Sequence, residues 1–148
     1  MDEAQQRNVL VIANRTCPCP NLADAVAARG RPESIDALVV APALNSRLRH
    51  WVSDTDGAVA GARARLAVAV AELAARGVQA RGEVGDAHPL LAIEDALATF
   101  PADEIIIVTH PPERSNWLEH GLVEKAVGRF DLPITHLVSE YGLSPVAA

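Results

Sequence analysis

Four consecutive β-branched residues, Ile105-Ile106-Ile107-Val108, leave this chain few folds to choose from. So short an apolar run, entered from Glu104 and left through Thr109, reads as a strand buried on both faces at the centre of a sheet. Asn8-Val9-Leu10-Val11-Ile12-Ala13 and Ile35-Asp36-Ala37-Leu38-Val39-Val40-Ala41 read the same way, the second ended by Pro42. Val78-Gln79-Ala80-Arg81-Gly82-Glu83-Val84 alternates in polarity, which marks a more exposed strand at the sheet edge. Ile134-Thr135-His136-Leu137-Val138, introduced by Leu132-Pro133, is the last strand.

Helical stretches separate these strands. Asn21 to Arg29 carries Leu22, Ala25, Val26 and Ala28, with Gly30 as a stop signal. From Gly57 to Arg76, Val59, Leu66, Val70 and Leu73 fall on one face, and Gly77 is placed to cap the end. Asp86 is positioned as the cap of a third helix, with Pro89 in its first turn and Leu90, Ile93, Ala96 and Leu97 as its apolar stripe. A fourth helix covers Trp117 to Arg129. The connection from Ala43 to Asp56 is long for a strand-to-helix loop, and loops of that length in compact domains are often functional.

Strands alternating with helices require right-handed crossovers and a mostly parallel sheet. The 148 residues suit one domain, 1–148, with its packed core between Asn8 and Val138. A chain of this size buries roughly 68–70% of its unfolded surface and needs neither disulfide nor metal to hold it. Apolar residues make up 49% of the chain but aromatic ones only 3%, so the core is built from Ala, Val, Leu and Ile.

Thirteen basic against nineteen acidic residues give a net charge of −6, which repels a nucleic-acid backbone and argues against such a partner. A small anion responds to local charge instead. No apolar run approaches the ~20 residues that span a bilayer, and Met1 to Arg7 shows no signal-peptide core, so a cytoplasmic protein with no membrane partner is expected. Both cysteines lie in Cys17-Pro18-Cys19-Pro20, which supplies two soft ligands where structural zinc wants about four and reads as a proline-held turn. His50, His88, His110, His120 and His136 lack metal-ligand spacing. No nucleophile with a placed base is recognisable, and no catalytic residue or metal site is assigned.

In open parallel sheets a ligand sits beyond the carboxyl ends of the strands, where the strand order reverses. With the first and fourth strands as neighbours, the lips of that crevice are Asn14-Arg15 and the stretch from Thr109 and His110 to Arg114-Ser115-Asn116. Asn45 and Arg47 in the long connection, and Asp86, reach the same end. Ser115-Asn116 precedes the fourth helix, whose free N–H groups favour an anion, although Ser and Asn there are also ordinary caps.

Val9-Leu10-Val11-Ile12-Ala13, Gly82-Glu83-Val84-Gly85-Asp86, Ala102-Asp103-Glu104-Ile105-Ile106-Ile107-Val108-Thr109-His110 and Leu132-Pro133-Ile134-Thr135-His136-Leu137-Val138, in that order and spacing, make the chain resemble the universal stress protein family from Val9 to Val138. The resemblance implies a doubly wound five-stranded parallel sheet, strand order 3-2-1-4-5, with helices on both faces. It also implies a homodimer paired through the last strand at Ile134, Leu137 and Val138.

Nucleotide-binding members carry an Asp after the first strand and a glycine-rich phosphate loop after the fourth. Here Asn14 takes the first place, and the loop reads Thr109-His110-Pro111-Pro112-Glu113-Arg114-Ser115-Asn116-Trp117, without glycine. Proline has no N–H to offer a phosphate. Gly121 matches a later family glycine, with Leu122 where a hydroxyl residue follows it. The expected function is a non-enzymatic regulatory or binding module with no cofactor and a side-chain-lined site for a small anion. The alternative is an ATP- or AMP-binding stress protein.

Overall fold

A computed structural model of the chain describes residues 6–13, 20–44, 54–86, 88–109 and 121–138. In chain order they form β1 (Arg7–Ala13), α1 (Pro20–Ala27), β2 (Ile35–Leu44), α2 (Asp54–Ala75), β3 (Gln79–Asp86), α3 (Pro89–Thr99), β4 (Glu104–Thr109), α4 (Leu122–Arg129) and β5 (Ile134–Val138), with a 3-10 turn at Pro32–Ser34. All pairings are parallel, in the order β3-β2-β1-β4-β5. The sheet and its order are those the sequence implies.

Two cores lie on the two faces of the sheet, because alternate residues of a strand point in opposite directions. Val9, Val11, Ile106 and Val108 pack under α1 and α2 with Leu22, Val26, Leu66 and Leu73. Leu10, Ile12, Ile105 and Ile107 pack under α3 and α4 with Ile93, Ala96, Leu122 and Ala126. The β-branched run from Ile105 is wholly buried, as a central strand covered on both faces must be.

Several boundaries differ from the sequence reading: α2 starts at Asp54, β3 runs on to Asp86, and three others have a local cause. β2 continues through Pro42 to Leu44, with Pro42 opposite Gly85 and an irregularity between Pro42 and Leu44. Among the described residues β1 pairs with β2 only as far as Val40, so Pro42 lies beyond that pairing and β1 does not call on the N–H that proline lacks. α1 ends at Ala27 rather than Arg29, and the Arg29 N–H donates to Val26 O in a tightened turn. That turn delivers the Arg29 side chain to Glu104. α4 starts at Leu122 rather than Trp117, because Gly121 takes the left-handed conformation at φ 89°.

Within α2 the buried row is Ala62, Leu66, Ala69 and Leu73; Val70 is half-buried, and the side chain of Val59 lies outside the described residues. Gly77 ends this helix at φ 88°, as expected of its cap.

An ion-pair cluster ties the amino ends of the strands together. Arg7 Nε donates to Glu104 Oε2 at 2.9 Å and Arg29 Nε to Glu104 Oε1 at 3.0 Å. β1, β4 and the exit of α1 thus share one carboxylate, and β5 joins through Arg29, which also donates to Thr135 Oγ1 at 3.1 Å. At 4% exposure Glu104 is the one buried charged residue among those described.

Gly85 is required by close approach. A Cβ there would lie 2.8 Å from Val40 Cγ1 and 3.2 Å from Ala92 Cβ, both in groups with little freedom to move. Gly85→Ala is therefore expected to destabilise the fold by about 1–3 kcal/mol, as overpacking does. A thermal melt would show it, and an unchanged midpoint would count against this packing of α3 on β3.

Candidate functional site

The parallel order places the carboxyl ends of all five strands at one pole, opposite the Glu104 cluster. The connection from β1 passes to β2 on one side and β4 lies on the other, so the order reverses between β1 and β4. Ala13, the last residue of β1, pairs with Val108, and Thr109 ends β4 opposite Val138 of β5. This is where an open α/β sheet leaves a crevice.

Thr109 thus stands at the mouth of the crevice. Gly121 reaches the same pole from above, because α4 follows β4 and runs back towards the start of β5. It is the N-cap of α4 and provides no side-chain cap, and the Lys125 N–H donates to its carbonyl at 2.9 Å to start the helix. The next N–H groups of α4 have no intrahelical acceptor and carry the positive end of the helix dipole. The N-cap of α4 is thus Gly121, while Ser115 and Asn116, expected to precede the fourth helix, lie outside the described residues. The readable signal was the glycine directly before Leu122-Val123-Glu124-Lys125.

Asp86 lies at the carboxyl end of β3, opposite Leu44. Two strand spacings, about 10 Å, separate β3 from β1. Asp86 does not cap α3. The N-cap is His88, with Pro89 in the first turn as expected, and Asp86 Oδ1 accepts the His88 N–H at 2.8 Å. The carboxylate closes the turn from strand to helix at the same pole. Asn14, Arg15, Asn45, Arg47, His110, Arg114, Ser115 and Asn116 lie outside the described residues. Among those described, no three His, Cys, Asp or Glu side chains gather as metal ligands, and no helix is long and apolar enough to cross a membrane.

Neither a family model nor a curated protein matches the sequence. Solved structures do match. Universal stress protein UspA from Lactobacillus plantarum superposes with a TM-score of 0.67 at 17% identity, over 93% of this chain and 100% of that one. A hypothetical protein of known crystal structure superposes with a TM-score of 0.56 at 11% identity, over 90% of this chain and 96% of that one. The chain has the universal stress protein fold, as its sequence resemblance implies.

Proposed function

We propose that this chain is a non-enzymatic binding module of universal stress type, taking a small anion at the β1/β4 crevice through side chains. The observation that carries the reading is the strand reversal between β1 and β4, with the amino end of α4, to which Gly121 offers no side-chain cap, brought to the same pole. The loop sequence from Thr109 to Trp117 supports side-chain rather than backbone capture, since Pro111 and Pro112 donate no N–H. Asn14, Arg15, Arg114 and Ser115 are the residues proposed to hold the ligand.

One observation favours the alternative of adenine-nucleotide binding. Gly121 stands where the family's later glycine stands and adopts a positive φ that other residues disfavour. Thermal melts with inorganic phosphate, AMP, and ATP with magnesium separate the two readings. A ligand at 100 times its Kd adds about 2.7 kcal/mol, roughly 5–10 °C for a chain of this size. The expected result is a saturable rise with phosphate that falls in Arg114→Ala, and no further rise with either nucleotide. A saturable rise with ATP alone, lost in Asn14→Ala or Ser115→Ala, would replace the first reading by the second.

Pairing of two copies through β5 belongs to the same proposal. Its support is the outer backbone edge of β5 and not the side chains first named for it. Leu137 is only 8% exposed and Ile134 half-buried, each packed into a core of its own chain, while the side chain of Val138 lies outside the described residues.

A further inference from the structure

β3 forms the other edge of the sheet, and among the described residues nothing lies beyond it. Along this edge runs an open trough of about 700 Å³, whose lining includes Arg63, Leu66, Ala67 and Ala71 of α2 and Gly82 and Val84 of β3. Gly82 lets the helix settle on the strand, since a Cβ there would sit 3.1 Å from Leu66 Cβ. The side of α2 turned from the sheet offers Ala64, Ala67, Val68 and Ala71 to solvent.

We propose that this edge pairs with the β3 edge of a second copy of the chain, antiparallel about a two-fold axis at Gly82. The strand is self-complementary about that residue. Arg81 then stands opposite Glu83 of the second copy, and Glu83 opposite its Arg81, at both crossings. Residues directly opposite each other in an antiparallel pair share a face, so each acid meets a base, and opposite charges in such positions stabilise the pair.

Both side chains are exposed. In the single chain the Arg81 guanidinium turns inward on the same face, 5.4 Å from the Phe100 ring and 3.8 Å from Asp36 Oδ1, and would exchange this long contact for Glu83 of the second copy. On the other face Ala80 meets Val84 of the second copy beside the trough. α2 packs against β2 and β3 alike. With strands about 4.8 Å apart, the two α2 helices would lie roughly 10 Å from each other, at the packing distance of helices that meet through small residues. Ala67 and Ala71 are such residues. β5, Ile134-Thr135-His136-Leu137-Val138, contains no acid–base pair to choose a register in this way.

Light scattering or sedimentation of the full chain over a range of concentrations tests the pairing. Glu83→Arg places like charges opposite each other at both crossings, and Arg81→Glu does so with the other sign. Either variant is expected to lower the limiting mass, by twofold where β3 is the one pairing edge. An equimolar mixture of the two should recover it as a mixed pair, because acid and base again oppose each other at each crossing. Melting midpoints close to that of the unaltered chain qualify both variants. Should Arg81→Glu melt early beside Asp36, Glu83→Arg alone decides.

If β5 pairs as well, the unaltered chain grows beyond a dimer and Glu83→Arg stops at a dimer. If β5 does not pair, the step is from dimer to monomer. A monomeric unaltered chain, or a Glu83→Arg chain with unchanged mass at every concentration, overturns the proposal.

Discussion

Replacing Arg7 and Arg29 together by alanine is expected to destabilise the protein by about 3–5 kcal/mol, the usual consequence of leaving a buried charge without its partners. Glu104 is 4% exposed, and its two oxygens accept from Arg7 and Arg29 at 2.9 and 3.0 Å. Removing both guanidinium groups leaves the carboxylate in the sheet end with neither of those donors. For a chain of this size the melting midpoint should fall by roughly 6–20 °C. Glu104→Gln should cost less, because both arginines reach solvent with side chains 42% and 23% exposed and can be hydrated when the acid is gone. Denaturation in urea measures both. A double variant within about 1 kcal/mol of the parent would mean that water replaces the arginines at little cost.

Ile107→Ala is expected to cost about 2–5 kcal/mol, through lost burial and the cavity it leaves. Ile107 is wholly buried in β4, opposite Ile12 of β1 and His136 of β5, in the core that includes Ile93 and Leu122. Val127→Ala on α4 supplies the contrast. Val127 is 59% exposed, and its truncation should stay within about 0.5 kcal/mol. In urea the midpoint should drop for Ile107→Ala with an unchanged slope. Equal effects at the two positions would contradict a core centred on β4.

The strands were legible because burial on both faces leaves a local mark: Ile105 to Val108 and Val9 to Ile12 need no distant information to be read. Strand ends were less so. Pro42 stops a strand only where its N–H is needed, and whether it is needed depends on where β1 ends beside it. The same limit hid the role of Glu104. A charged residue opening an apolar strand looks like a polar boundary until Arg7 and Arg29, distant in sequence, are brought to it. At the site, the alternation of elements implied a parallel sheet with one pole of carboxyl ends, the reversal between β1 and β4 came with the family resemblance, and the start of α4 depended on the backbone of Gly121.

By itself the sequence determined the layered α/β plan, the buried strands, the exposed character of β3 and the absence of glycine from Thr109 to Trp117. All of these are written in neighbouring residues. Only the tertiary structure decided which partners those residues meet. It turned Asp86 from a helix cap into a turn-closing acceptor, covered Leu137 within its own chain, and set Leu66 of α2 against Gly82 on an open edge. The physical reason is that periodicity reports which side of an element is apolar, while burial, ion pairing and edge exposure depend on what the rest of the chain places against it.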